Sequence, residues 1–315
     1  MLRYAFKRIL SLIPILLGIS LISSLLYYII PGDMVRVMLG QHVDPVLYAN
    51  VRKALGLDVP FWQNFVGFLS GVPRGDLGFS FIQQRPVAQI ILEALPVTLT
   101  LTAFSLTVIL VVGIPLGIAA AVKDRSFIGR AANISAILGI SIPSYLLALF
   151  FQYLFGVTLR WLPISGPSQG LTSFILPALA VGLPLAAFYA RVARASMLDV
   201  LSQDFVLFAK SRGIPGTRVI INHAVRNALV PVVTQIGMEF GFFMAGSVLT
   251  ETIFNLPGMG RLVYAAISTR DFPLLRGILL FFALTVVMVN LIVDLLYAKM
   301  DPRMTQEIVR ETDAA

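Results

Sequence analysis

Six long apolar segments leave this chain few choices of fold. They run approximately over residues 9–30, 95–122, 131–159, 171–190, 228–249 and 277–298. About 20 helical residues are needed to cross the hydrocarbon of a bilayer, and each segment is long enough. The first four carry no charge, while the fifth holds Glu239 and the sixth Asp294. Transmembrane strands would instead show segments of about 10 residues alternating in polarity, a pattern absent here. Only 13% of the residues are charged and 57% are hydrophobic. A soluble chain carries about 25% charged residues, so a water-soluble surface and a disordered chain are both excluded. The sequence predicts an all-α membrane protein with six transmembrane helices.

Placement of the basic residues sets the orientation. With the N-terminus inside, the inner segments hold 15 Lys and Arg and the outer segments 9. The positive-inside rule then places both termini on the cytoplasmic side. A cleaved leader would show an apolar region of about 7–15 residues and a small-residue cleavage site. The first apolar run is longer and ends in Pro31-Gly32-Asp33, which reads as a retained helix. The net charge of +8 is thereby explained without nucleic acid. With no cysteine, disulfides, thiol nucleophiles and thiolate metal sites drop out.

The expected organisation is an inner N-terminus with the first helix (1–30), an extracytoplasmic helical insertion (31–94), a five-helix core (95–299) and a cytoplasmic tail (300–315). In the insertion, Phe61, Trp62, Phe65, Phe68 and Leu69 fall on one helical face, which fits a helix packed on the bundle or lying at the lipid interface. Residues 71–78 form a turn-rich return. The small-residue ridges Gly113, Gly117, Ala121 and Gly237, Gly241, Ala245 allow close helix approach in lipid.

The large inner loop, 191–227, is the most distinctive polar feature. Residues 197–212 are compatible with one helix, with Leu198, Leu201, Phe205 and Phe208 at helical spacing. Gly213-Ile-Pro215-Gly216 breaks it, and Thr217 is placed to cap a second helix leading through His223 into the fifth span. Helix, turn and helix form a protruding elbow.

The elbow stretches Asp204 to Gly213 and His223 to Pro231 resemble the cytoplasmic EAA loop of ABC importer permeases. Further stretches agree in order with the dipeptide/oligopeptide/nickel group of these binding-protein-dependent inner membrane components. They include Gly75-Asp76-Leu77-Gly78-Phe79-Ser80, Arg85-Pro86-Val87, Gly139-Ile-Ser-Ile-Pro143, Leu256-Pro257-Gly258-Met259-Gly260-Arg261, Arg270-Asp271-Phe272-Pro273 and Asn290-Leu-Ile-Val-Asp294. The general glutamate position of the loop is Leu207 here, and Glu239 stands where an uncharged residue is expected. The resemblance implies a type I ABC importer fold and a permease subunit in the bacterial plasma (inner) membrane. It would carry dipeptides or oligopeptides by alternating access, or alternatively nickel, glutathione or opine-like solutes. The implied partners are a second homologous permease, two cytoplasmic ATPase subunits, an extracytoplasmic solute-binding protein and membrane lipid. ATP and Mg would sit on the ATPase partners, since this chain has no GxxxxGK[ST] phosphate loop and needs no cofactor of its own.

In that reading Asp204, Ala209, Lys210, Arg212, Gly213, His223, Arg226 and Asn227 couple the chain to its ATPase. Ala209 would allow close approach, and the three charged residues before Gly213 would make rim contacts. His223 packs or hydrogen-bonds, and His42 is exposed. Glu239, Asn290 and Asp294 are candidates for the translocation path. Glu239 could equally be a protonated structural carboxyl, and Asp294 a structural partner of an inner arginine, because charge inside a span is tolerated only with a partner, water or a proton. No catalytic constellation or metal-ligand spacing accompanies the two histidines. An intramembrane enzyme would need paired polar residues within spans, and a secondary transporter would show internal repeats. Neither feature is seen.

Overall fold

In the computed structural model, residues 2–29, 35–36, 44–54, 58–123, 141–167, 169–246 and 248–300 are described, with isolated residues between 126 and 139. Side chains of residues 2–12, 26–28, 238–246 and 293–300 are outside that description. The described residues are helical nearly throughout. It begins with α1 (Leu2–Ile29), α2 (Pro45–Ala54) and α3 (Phe61–Gly71). A two-stranded antiparallel hairpin, β1 (Phe79–Ser80) and β2 (Arg85–Pro86), then pairs Phe79 with Pro86 and Ser80 with Arg85. This hairpin closes the turn-rich return that the sequence reading left without strands.

Next come α4 (Val87–Val108), a π-helical turn (Ile109–Gly113) and α5 (Ile114–Val122). They make one continuous apolar stretch of 36 residues, Val87–Val122. The π turn ends two residues before Pro115, which has no N–H to donate and whose ring crowds the preceding turn; a widened turn accommodates both. α6 (Ser144–Phe151) and α7 (Ile175–Leu201) follow. The short helices α8 (Asp204–Ser211) and α9 (Gly216–Val219) lead through a second π turn (Ile220–Ala224) into α10 (Val225–Gly246). The last described elements are α11 (Val248–Ile253), α12 (Met259–Ser268) and α13 (Phe272–Met300).

Val87–Val122, Gly170–Leu201 and Phe272–Ile292 are long and apolar enough to cross a membrane, and Ile13–Leu25 and Ser144–Thr158 are shorter apolar helices. Helix ends do not coincide with the ends of the apolar runs. α7 continues 11 residues past the apolar segment ending at Ala190, to Leu201. Ala, Arg, Met and Leu are good helix formers, and leaving hydrocarbon is no reason to unwind.

The chain forms two compact units. One contains residues 1–97, 240–248 and 257–315, and the other 98–239 and 249–256. In the first, α1 packs on α13 and α3 on α1, and the core gathers Val87, Ile91, Met259, Leu274 and Ile278. Phe65 and Phe68 of α3 are buried, whereas Trp62 is exposed, so only part of the predicted aromatic face is covered. In the second unit α5 lies against α7. A Cβ on Gly113 would sit 2.6 Å from the Ala186 carbonyl oxygen, and one on Gly117 would collide with the Ala190 carbonyl. The predicted Gly113–Gly117–Ala121 ridge is thus a place where backbones touch. Gly241 and Ala245 of the other ridge have side chains outside the described residues.

Candidate functional site: the elbow and the buried polar ties

The predicted elbow lies in the second unit, with its first arm built differently from expectation. Residues 197–212 do not form one helix. Residues up to Leu201 belong to α7, Ser202 and Gln203 interrupt it, and α8 restarts at Asp204 from an extended Gln203. α8 then ends in a full Schellman closure. Ile214 N–H donates to the Ala209 carbonyl at 3.3 Å and Gly213 N–H to the Lys210 carbonyl at 3.0 Å, with Gly213 at φ +75°. That left-handed conformation is the reason glycine stands there. Ile214, the residue after it, packs on the cluster of Val206, Ala209 and Val219.

The second arm begins at Gly216 with extended Pro215 as its cap residue. Thr217 lies in the first turn and does not cap, which corrects the sequence reading. Proline supplies the fixed φ that precedes the turn, and Arg218 and Val219 N–H groups donate to its carbonyl at 2.9 and 3.1 Å. The arm runs on into α10 as expected.

This folding sorts the elbow residues into two sets. Ala209 is buried between the arms, so the close approach it permits is made within the chain. Asp204, Lys210, Arg212 and Gly213 are exposed. Beside them Phe205, Leu207 and Phe208 are also exposed, at 37%, 57% and 61%, and the Arg212 guanidinium sits 5.1 Å from the centre of the Phe208 ring. His223, Arg226 and Asn227 are exposed on the far arm, where Asn227 Nδ2 donates to the His223 carbonyl at 3.1 Å. The His223 side chain is exposed in this chain. His42 lies outside the described residues.

Of the candidate path residues, Asn290 is half-buried on α13. The Glu239 and Asp294 side chains lie outside the described residues. The structure instead reveals polar groups that sequence reasoning passed over. Glu251 is fully buried and accepts a 2.6 Å hydrogen bond from Thr98 Oγ1. Asp271, also buried, accepts from Ser80 Oγ and, at 3.3 Å, from Leu274 N–H, so it caps α13. Burial raises the Asp271 carboxyl above its ordinary value, while the hydrogen bonds from Ser80 and Leu274 pull the other way. Arg276 is 8% exposed, donates to Asn64 Oδ1 at 3.0 Å and lies 3.9 Å above the Phe68 ring. The structure brings the stretch ending at Ser80 against the one containing Asp271, 191 residues away, and no local signal in the sequence pairs them. Among the described residues no group of three His, Cys, Asp or Glu side chains could hold a metal ion.

Comparison with known proteins covers most of the chain. Residues 113–306 match the family described as binding-protein-dependent transport system inner membrane component, and residues 1–102 match the N-terminal component of such systems. Relatives described as glutathione transport system permease proteins (GsiC) occur in Shigella flexneri serotype 5b, Escherichia coli K12 and Salmonella choleraesuis. Each is 39% identical over 302 residues, covering 96% of this chain and 98% of the relative. These relatives are permease subunits, not enzymes. This chain belongs to the binding-protein-dependent inner membrane components of the peptide/nickel group, the permease subunits of ABC importers that work with ATPase and solute-binding partners.

Proposed function

We propose that this chain is one of two homologous permeases in an ATP-driven importer of short peptides, with glutathione as the first cargo to test. In this reading six helices span the membrane, both termini are cytoplasmic, and cargo passes by alternating access. The observation that carries the cargo class is the 39% identity to glutathione permeases over 96% of the chain. Dipeptides and longer peptides remain within the same class.

The elbow is the coupling element in this proposal. Its exposed Phe205, Leu207 and Phe208 give a short helix an apolar face suited to a groove on the ATPase, with Asp204, Lys210 and Arg212 as rim contacts. Rigid-body movement passes through such a docked helix without any chemistry in this chain. Arg226 and Asn227 stand at the root of α10, where that movement enters the bundle. ATP and Mg are held by the ATPase partners. Glu239, Asn290 and Asp294 are proposed to line or support the path.

The test is uptake of labelled glutathione and of L-alanyl-L-alanine by cells carrying the complete system, with and without this chain. Loss of both uptakes on deletion supports the reading, and unchanged uptake of both overturns it. For coupling, Leu207→Asp with Phe208→Asp is expected to abolish stimulation of ATP hydrolysis by loaded binding protein, with the subunit still inserted. Normal stimulation with normal uptake removes the elbow from the mechanism.

A further inference from the structure

Among the described cavities, one of about 320 Å³ in the first unit lies at hydrocarbon depth. Its walls are apolar side chains and glycine: Leu16 of α1, Val72 and Gly75 of the return after α3, Leu92 of α4, and Leu280 and Leu284 of α13. Leu280 and Leu284 lie about 12 and 18 Å along α13 from Phe272, inside the apolar stretch Phe272–Ile292. A bilayer's hydrocarbon layer is about 30 Å thick, so the deep end of the cavity is level with acyl chains. Leu92 and Leu284 are 62% and 45% exposed, which leaves the cavity open at its flank.

A cation adjoins this cavity. Arg74 stands in the sequence between the lining residues Val72 and Gly75, in a single 3₁₀ turn. The turn closes with Gly75 N–H donating to the Val72 carbonyl at 3.0 Å and Gly75 at φ +76°. Arg74 is exposed, and among the described residues it has no hydrogen bond, ion pair or aromatic ring as partner. The nearest carboxylate in sequence, Asp76, is turned to its own backbone, where Oδ1 accepts from Gly78 N–H at 2.9 Å. The helix before the turn also suits an interface. α3 buries Phe65 and Phe68 and leaves Trp62 and Val66, one turn apart, exposed. An exposed Trp on such a helix fits the boundary between headgroups and hydrocarbon.

We infer that this cavity holds one acyl chain of an anionic phospholipid whose phosphodiester sits on Arg74. Depth and charge decide between occupants. A soluble solute would have to leave water to reach the cavity, and it would find no polar partner there. A protein segment seated on the flank would bury the Arg74 charge unless it supplied an acid. A lipid avoids that cost, because its headgroup stays in water while its chain fills the cavity. A guanidinium donates paired hydrogen bonds to phosphate oxygens, and a basic side chain near the membrane surface favours anionic lipid. A zwitterionic headgroup would instead add a second cation beside the guanidinium, with the carboxylate of Asp76 already engaged. The bound lipid fills the gap between the return and the three helices, and so ties the end of α3 to the spans. The inference concerns the membrane-embedded subunit and is independent of its cargo.

The test is photolabelling of the purified permease–ATPase complex in phosphatidylcholine nanodiscs. These carry a trace of phosphatidylglycerol or of phosphatidylcholine with a diazirine in one acyl chain, and labelled peptides are mapped by mass spectrometry. Phosphatidylglycerol is expected to label the peptides holding Leu92 and Leu284 about fivefold more than phosphatidylcholine does, the effect of one basic side chain on anionic lipid. Arg74→Gln, at an exposed side chain with no partner to lose, should bring the two to equality. Leu284→Trp should fill the cavity from its exposed flank and remove the phosphatidylglycerol excess with Arg74 intact. ATP hydrolysis by the complex reports that each variant is assembled. Equal labelling by both lipids in the wild type overturns the inference, as does an excess that survives either substitution. Labelling elsewhere on the chain with none at these peptides also overturns it, and assigns the flank to the second permease.

Discussion

In the unit made of residues 98–239 and 249–256, the long helices touch backbone to backbone, beside the buried tie between Glu251 and Thr98. In the unit made of 1–97, 240–248 and 257–315, side chains that carry charge tie the connecting segments to the helices. Gly113 and Gly117 of the first pair lie against the carbonyls of Ala186 and Ala190, and Gly182 lies against Val108. In the other unit Asp271 holds the β1–β2 hairpin through Ser80, and Arg276 holds α3 through Asn64 and Phe68. The difference follows from the solvent each contact faces. Between two spans lipid is as apolar as leucine, so helices gain little by hiding apolar surface and gain most by close approach. Where a connecting segment returns to a helix end, free backbone N–H groups and a change of polarity favour hydrogen bonds and caps instead.

The sharpest way to break the comparison is to put a side chain where the backbones touch. Gly117→Val would drive two methyl groups into the Ala190 carbonyl and the Ala193 methyl. Neither obstacle is the flexible end of a long side chain, so α5 and α7 must separate. The expected cost is about 3 kcal/mol or more, seen as loss of folded subunit in detergent. Gly18→Ala on α1 is the control, since a Cβ there has no neighbour within 4 Å. If Gly117→Val is as stable as Gly18→Ala, close approach is not what holds that unit.

Asp271 tests the other half at a smaller scale. Removing the cap with Asp271→Ala is expected to cost about 1–2 kcal/mol. The pH dependence has a definite sign. Because burial sets the folded value above the unfolded one, near 3.9, the contribution is fully present below the unfolded value. It is lost as the pH rises through the folded value. Thermal unfolding of wild type against Asp271→Asn, over roughly pH 4 to 8, should show the wild type losing ground as the pH rises. A difference that stays constant, or that grows in favour of the wild type, would refute burial as the dominant influence on this group.

The two kinds of contact were not equally legible in the sequence. The Gly113–Gly117 ridge could be read directly, because small residues four apart on an apolar helix leave few other uses. Break-forming residues were legible too: Gly213 and Pro215 end and restart the elbow helices where expected. The interruption at Ser202 and Gln203 was hidden because the apolar period of 197–212 runs through it unbroken. Thr217 was a plausible cap, but Pro215 already fixed the turn from outside the helix. The charged ties escaped for a different reason. Ser80 and Asp271 are 191 residues apart, and nothing in either local sequence names the other as partner. The cavity beside Arg74 is hidden in the same way, since a cavity assembled from a return turn and three helices has no signature along the chain.

The smallest expected effect concerns a closure that lacks the usual residue. α12 ends in the same Schellman pattern as α8: Asp271 N–H donates to the Ala266 carbonyl at 2.8 Å and Arg270 N–H to that of Ile267 at 3.2 Å. The left-handed position is filled by Arg270 at φ +56°, whereas the elbow has Gly213 at +75°. A side chain there crowds its own carbonyl, a cost of about 1 kcal/mol that glycine avoids. Glycine also gives the unfolded chain more freedom, which offsets part of the gain. Arg270→Gly should therefore raise stability by about 0.5 kcal/mol, and Gly213→Ala should lower it by about 1 kcal/mol. Both are read as thermal unfolding of the purified complex. Because the closure at Arg270 delivers Asp271 to Ser80, a loss of stability in Arg270→Gly would mean that the arginine side chain itself helps hold that polar tie, and would add Arg270 to the charged ties of that unit.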